Sequence, residues 1–132
     1  MKAFVLIVMI TTAFGSQNNI PESNTLSKGL VKTYIMDSSD KGMFFDTDYY
    51  KKEHMRMVSE LYGDHMKKYE IDSGISGRTF EDKVPYLAVR HLYFDNLSGY
   101  NAGFGANKEK ILRNIPKYIN IRSIVQISDV VK

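Results

Sequence analysis

The segment Tyr86–Phe94, with the sequence Tyr-Leu-Ala-Val-Arg-His-Leu-Tyr-Phe, places the strongest constraint on how this chain can fold. It is rich in residues that favour strands, and Pro85 precedes it at a position where a missing amide does least harm. Alternate residues of a strand point to opposite faces of a sheet, and both faces of this segment are largely apolar. We therefore expect a strand that is covered on both sides.

The spacing of apolar residues elsewhere predicts three further strands and two helices. The strands are expected at 29–36, 67–75 and 121–131, the helices at 46–62 and from a capping Asp95 onward, and a loop at 37–42. Three glycines weaken the second helix, so we expect it to break before a further short helix at 108–114. The order β-α-β-β-α-β predicts an α+β, ferredoxin-like fold, an antiparallel sheet with both helices on one face.

A sheet with helices on only one face leaves its other face open, whereas the strand at Tyr86–Phe94 predicts burial on both sides. The chain has 132 residues and no cysteine, so no disulfide framework can substitute for packing. In so short a chain, the simplest cover for the second face is another copy of the same chain. We therefore expect a homodimer in which two sheets face each other and enclose a cavity.

The first fifteen residues are predicted to lie outside the fold. A positive charge is followed by an apolar run at 3–10 and then by small residues, the pattern of a signal peptide cleaved before Ser16. The run is too short to cross a bilayer comfortably, and the alternative is an uncleaved membrane anchor. We expect a secreted or periplasmic protein with a polar tether at 16–28, one domain at 29–132, and no stable membrane association once the signal is removed.

Composition argues against several classes of function. The formal net charge is +3, and acids and bases alternate without a dense basic run, so nucleic-acid binding is not expected. The absence of cysteine removes thiolate nucleophiles and thiolate metal sites. The three histidines are too scattered to predict a metal site, and the glycines at 99, 103 and 105 do not form a dinucleotide fingerprint. We therefore predict neither a metal nor a cofactor.

His54 is a titratable ring within the apolar stripe of the first predicted helix, which also contains Tyr50, Met57, Val58 and Leu61. Burial favours the neutral imidazole, which can act as a general base. Tyr50 lies one turn earlier, where it could orient the ring or bond a substrate oxygen. We name His54 and Tyr50 as candidate catalytic residues. The alternative is a structural histidine satisfied by a carbonyl or a tyrosine hydroxyl.

Four further residues are candidates for substrate binding: Tyr34, Arg90, His91 and Tyr93. Arg90 and His91 are neighbours in a strand, so they point to opposite faces and one of them must face the cavity. Arg90 could hold an anionic or carbonyl group, or it could pair with an acid. The tyrosines could form a flat pocket for an aromatic ligand, although tyrosine is equally suited to ordinary core and interface packing.

Five short motifs stand in order along the chain. They are Phe45-Asp46-x-x-Tyr49-Tyr50-x-x-x-His54, Glu60-Leu61-Tyr62-Gly63, Tyr69-Glu70, Tyr93-Phe94-Asp95 and Ile115-Pro116-Lys117-Tyr118. Together they resemble the pattern of the EthD family of small dimeric α/β-barrel proteins, over roughly residues 29–130. One departure is Arg56, at a position where family members commonly carry proline. Because proline would kink the helix, Arg56 is expected to leave a more regular one.

The resemblance implies a dimeric α/β barrel that binds a small apolar or aromatic organic molecule. The family carries an oxidoreductase-associated label, and related barrels include cofactor-free monooxygenases, cyclases and dehydratases. The resemblance therefore implies oxidoreductase or lyase chemistry without a cofactor, with His54 as general base. One fold supports many functions, and the alternative is a non-catalytic ligand-binding or accessory protein on the same dimer.

Overall fold

The computed structural model describes residues 28–132 of the chain. The predicted signal peptide at 1–15 and almost all of the predicted tether lie outside the described residues. Residues 28–132 form a four-stranded antiparallel sheet with its helices on one face, and the predicted α+β, ferredoxin-like order is confirmed. Within this range, no helix is both long and apolar enough to span a membrane.

The sheet places two strands at its centre. The strands are β1 (Val31–Ser38), β2 (Met66–Ser73), β3 (Tyr86–Phe94) and β4 (Ile124–Asp129). Helix α1 joins an α-helical turn (Thr47–Tyr49), a π-helical segment (Tyr50–His54) and an α-helical segment (Met55–Tyr62), and helix α2 is Leu97–Asn114. Short 3-10 turns at Gly63–His65 and Ile115–Lys117 follow the two helices. Because the strand order is β2-β3-β1-β4, β1 and β3 are paired on both sides.

The bounds of β3 match the predicted strand, whereas β1 extends further than predicted. β1 ends at Ser38, so Asp37 belongs to a strand and not to the predicted loop. Asp37 pairs across the sheet with Ala88 of β3, and its side chain is fully buried. An acid expected in a solvated turn thus lies inside the protein, at the end of a central strand.

Helix α2 is continuous, and the predicted break at its glycines is wrong. Asn96, and not Asp95, caps the helix, because its side-chain oxygen accepts from the amide of Gly99 at 2.7 Å. A β-carbon on Gly103 would run into the ring of Tyr62 in α1. Gly99 and Gly103 therefore let α2 approach its neighbours closely, and that packing offsets their poor helix propensity.

Helix α1 buries a different set of residues from the predicted stripe. Its buried side chains are Tyr50, His54, Met55, Val58 and Tyr62. The predicted Met57 and Leu61 are only partly buried. The π-helical segment explains the shift, because its wider turn rotates every later side chain relative to the earlier ones. The more regular helix expected from Arg56 is therefore not the helix that forms.

Alternation along the central strands divides their side chains between two faces. The helix face carries Val31, Thr33, Ile35 and Asp37 of β1 and Ala88, Arg90, Leu92 and Phe94 of β3. The opposite face, called the open face, carries Lys32, Tyr34 and Met36 of β1 and Leu87, Val89, His91 and Tyr93 of β3. The core lies between the helices and the helix face, where Met55, Val58, Phe94, Ile111 and Ile119 pack together.

The open face is only partly covered by its own side chains. The ammonium groups of Lys32 and Lys68 lie 4.9 and 4.4 Å from the ring centre of Tyr93 and shield it from solvent. Leu87 is 38% exposed, and Ile124 of β4 is 55% exposed. A single chain therefore leaves apolar surface uncovered on this face.

Two glycines of α2 allow a matched test of its packing against α1. Gly105 faces open space, so Gly105→Ala should raise the free energy of unfolding by up to about 1 kcal/mol through helix propensity. In Gly103→Ala the same gain in helix propensity is opposed by overlap of the new β-carbon with the ring of Tyr62. Such overpacking lowers the free energy of unfolding by about 1–3 kcal/mol. We expect Gly103→Ala to lower the free energy of unfolding measured in urea. A stabilising Gly103→Ala would contradict the close approach of the two helices.

Candidate functional site

A cavity of about 540 Å³ lies between the helices and the helix face of the sheet. Its wall is mostly apolar and comes from both helices and from β1, β3 and β4. Six of its apolar side chains are Val58, Leu92, Phe104, Ile111, Ile115 and Val125. Both the volume and the lining are typical of small-molecule pockets, which span about 300–1,000 Å³.

His54 lies in the wall of this cavity, held by a partner on one ring nitrogen. Its Nδ1 is 2.8 Å from Oδ1 of Asn114, whose Nδ2 donates to the hydroxyl of Tyr49 at 3.0 Å. A carbonyl oxygen can only accept, so Nδ1 carries the proton and Nε2 keeps a lone pair. Nε2 faces the hydroxyl of Tyr118 at 3.4 Å.

The surroundings of His54 favour its neutral form. Burial lowers the pKa of His54 below its ordinary value of 6.5, and the nearby charge of Arg90 lowers it further. The hydrogen bond to Asn114 acts in the opposite direction but does not outweigh them. At neutral pH the imidazole is therefore an uncharged base with one nitrogen available as a proton acceptor.

Arg90 also lines the cavity, and it is paired with an acid. Its Nε and Nη2 donate to the two carboxylate oxygens of Asp37 at 2.9 and 2.8 Å, and both side chains are almost fully buried. The hydroxyl of Ser123 donates to the same carboxylate at 2.5 Å and accepts from Nη2 of Arg90 at 2.9 Å. The bidentate pair neutralises both charges within the protein.

Tyr118 connects Arg90 with His54. Nη1 of Arg90 donates to its hydroxyl oxygen at 3.1 Å, and its ring centre is 4.5 Å from that of His54 and 5.2 Å from that of Tyr50. Burial raises the pKa of Tyr118, although the charge of Arg90 acts against the shift. The polar side chains of the cavity thus form one chain from Asp37 through Arg90 and Tyr118 to His54.

Two hydroxyls in the cavity wall lack partners. Among residues 28–132, Oγ1 of Thr33 and the hydroxyl of Tyr50 are fully buried atoms without a hydrogen bond. The ring of Tyr50 stacks on His54 with centres 5.6 Å apart, and burial raises the pKa of Tyr50. Buried polar groups are rarely left unsatisfied, and both residues belong to the lining of the cavity.

The six predicted site residues do not form a single site. His54, Tyr50 and Arg90 line the cavity, whereas Tyr34, His91 and Tyr93 lie on the open face, on the other side of the sheet. The open-face residues have protein partners of their own. Nε2 of His91 lies 2.6 Å from Oδ2 of Asp72, and the ring of Tyr34 packs edge-on against His91.

Sequence reasoning missed two of the four members of the polar chain. Tyr118 was recognised only as part of a motif, and Asp37 was assigned to a loop. Asn114 and Ser123 carried no signal, because their roles depend on partners that are distant in sequence. In the part of the chain that the structure describes, no three acidic or histidine side chains are grouped closely enough to hold a metal ion.

No protein-family model and no curated protein matches this chain. An EthD-like protein from Ralstonia eutropha JMP134 matches its structure with a TM-score of 0.74 at 28% sequence identity, covering 80% of this chain and 95% of that one. An ethyl tert-butyl ether D (EthD) family protein from Bacillus halodurans C-125 matches with a TM-score of 0.51 at 9% identity, covering 76% of this chain and 97% of that one. At 9% identity, the second likeness is one of fold alone.

Each match takes in almost the whole of the similar protein. The sequence motifs around His54 and Tyr118 pointed to the same family, and in the structure these two residues meet in the cavity wall. The resemblance to the EthD family is thereby confirmed.

Proposed function

We propose that this chain binds a small apolar or aromatic organic molecule in the cavity between sheet and helices, and that His54 acts on the molecule as a general base. The reaction would be a cofactor-free oxidation or lyase step that begins with removal of a proton from carbon or oxygen. The observation that carries the proposal is a neutral, buried imidazole in the wall of a cavity of about 540 Å³. The alternative is a protein that holds such a ligand without changing it.

The electrostatics of the buried part of the cavity favour a neutral ligand. Asp37 compensates the charge of Arg90, and His54 is neutral at neutral pH. A carboxylate or phosphate would lose its hydration in this buried part without gaining an uncompensated positive charge, because Arg122, the other cation of the lining, is exposed to solvent. Tyr100 and Phe104, stacked with ring centres 5.9 Å apart, add flat apolar surface to the wall. These features support an uncharged molecule with an aromatic or otherwise flat body.

The groups around His54 supply what a general base needs. Asn114 holds the proton on Nδ1 and would stabilise the imidazolium that forms when Nε2 accepts a second proton. The hydroxyls of Tyr50 and Thr33 are free to donate to a ligand oxygen. Hydrogen-bond donors placed where negative charge develops lower the barrier to proton removal.

We extend the proposal to assembly and location. A homodimer formed through the open face would cover the exposed Leu87 and Ile124, as the resemblance to dimeric barrels implies. Export to the periplasm or medium is supported by the signal-like sequence of residues 1–15. Mass measurement of the mature protein would locate the cleavage point.

Replacing the base tests the function directly. Native mass spectrometry of the purified protein would identify a retained small molecule, and incubation with that molecule would reveal its product. We expect His54→Gln to bind the molecule but to form product at least about 100-fold more slowly, the usual contribution of a general base. His65→Gln is the matched control, because His65 is half exposed and pairs with Asp95 outside the cavity. Unchanged turnover in His54→Gln would exclude the base, and binding without any product would favour the alternative.

The lowered pKa of His54 also makes stability depend on pH. The folded state holds His54 neutral, whereas in the unfolded chain it takes up a proton near its ordinary pKa of 6.5. Its contribution to stability is therefore complete above pH 6.5 and is lost as the pH falls through the folded-state pKa. Between about pH 6.5 and pH 5, we expect the free energy of unfolding of the wild type to fall faster than that of His54→Gln. Parallel curves would contradict a neutral, buried His54.

A charge on the open face tests the dimer. Leu87→Asp would desolvate an unpaired carboxylate at the interface, so we expect the dissociation constant measured by sedimentation equilibrium to rise at least about tenfold. Phe80→Asp is the control, because Phe80 is 95% exposed in the loop between β2 and β3. A wild type that sediments as a monomer at all concentrations, or equal dissociation of both variants, would argue against this interface.

A further inference from the structure

We propose that Tyr118 is a catalytic residue, which takes a proton from the substrate while passing its own hydroxyl proton to His54. This inference rests on the proposed function of the cavity and changes how the base works. His54 would reach the substrate through the tyrosine hydroxyl instead of touching the reacting proton itself. Tyr118 lines the cavity alongside His54 and Arg90.

The hydrogen bonds of Tyr118 define the direction of proton transfer. Nη1 of Arg90 lies 3.1 Å from the tyrosine oxygen and can only donate to it. The hydroxyl proton is therefore left for an acceptor, and Nε2 of His54, which carries no proton, lies 3.4 Å away. This distance is long for a hydrogen bond, but catalytic hydrogen bonds in ligand-free proteins often tighten only when substrate binds.

The packing of His54 leaves its acceptor nitrogen facing Tyr118. The ring of Tyr50 stacks on the imidazole, and Nδ1 is engaged by Asn114. An imidazole nitrogen has a single lone pair in the plane of the ring, and here the hydroxyl of Tyr118 faces Nε2. A ligand could reach this lone pair directly only by displacing the hydroxyl of Tyr118, which itself belongs to the lining of the cavity.

Tyr50 is the other tyrosine against His54, and its contacts do not suit a relay. Its ring is stacked, with an offset, on the imidazole, the ring centres being 5.6 Å apart and the interplanar angle 23°. Within residues 28–132 its hydroxyl has no hydrogen-bond partner, so it is not linked to Nε2 of His54. We assign Tyr50 to ligand binding and Tyr118 to proton transfer.

The proposed step is balanced in protons and electrons. A C–H or O–H bond of the substrate breaks, its proton moves to the oxygen of Tyr118, and the tyrosine proton moves to Nε2 of His54. The electron pair of the broken bond stays on the substrate as an enolate or phenolate, and His54 becomes an imidazolium held by Asn114. Arg90, already 3.1 Å from the tyrosine oxygen, stabilises negative charge as it passes through that atom. No oxidant or reductant takes part in the step.

The test uses 4-nitrophenol, a flat neutral acid whose phenolate absorbs visible light. We expect the wild type to bind it and to increase the fraction present as phenolate. Tyr118→Phe keeps the ring and removes the relay, so the ratio of bound phenolate to phenol should fall at least about tenfold while binding persists. Tyr69→Phe, which loses a tyrosine hydroxyl from β2, is the matched control. Urea unfolding of each variant would establish that it is folded.

The outcomes separate the relay from the function. Equal ionisation in wild type and Tyr118→Phe would overturn the relay and leave His54 as a direct base. Failure of the wild type to bind 4-nitrophenol or any related phenol would contradict the proposed function and the relay together. A second measurement needs no variant: ¹⁵N shifts of the His54 ring should identify the Nδ1-protonated tautomer in the ligand-free protein. The Nε2-protonated tautomer would overturn the relay even if Tyr118→Phe failed to fold.

Discussion

The buried ion pair between Arg90 and Asp37 is the interaction on which the interior of this protein depends. It joins the two central strands, one partner on each, through two hydrogen bonds of 2.8 and 2.9 Å. Both side chains are almost fully buried, and each charge offsets the cost of removing the other from water. Because Arg90 is held in this way, its remaining nitrogen is directed at Tyr118, and Tyr118 is in turn positioned against His54. The pair of Arg90 and Asp37 therefore balances the charge in the cavity and also positions the groups around His54.

The π-helical segment at Tyr50–His54 is the second constraint on the site. His54, the last residue of this segment, and Met55, the residue after it, are both buried, at 5% and 1% exposure. The wider turn brings His54 beside Tyr118 while the later part of α1 still packs on the sheet and on α2. Segments of this kind are rare and occur frequently at functional sites. In this chain the segment carries the candidate base at its final residue.

Most of the fold was accessible from periodicity, whereas the site was accessible only in part. The run of strand-favouring residues after Pro85 predicted β3 to the residue, and His54 stood out as a polar ring in an apolar stripe. Alternation could not decide whether Arg90 or His91 faced the cavity, because that depends on which side the helices cover. A buried acid at position 37 would have indicated that Arg90 faces the cavity, because the two side chains pair. The residues around Asp37 are typical of a turn, so the sequence did not predict its place in β1. Asn114 lies 60 residues from His54 in sequence, and nothing local predicts such a pairing.

The polar chain and the entrance of the cavity are formed by different residues. Arg90, Tyr118 and His54 are buried, whereas Leu112 and Val125, which also line the cavity, are 43% and 55% exposed. Substitutions at these outer positions leave every hydrogen bond of the polar chain in place. Substitutions at the entrance could therefore change which ligands enter the cavity while the reactive groups stay the same. Ligand selectivity and chemical reactivity could then evolve independently.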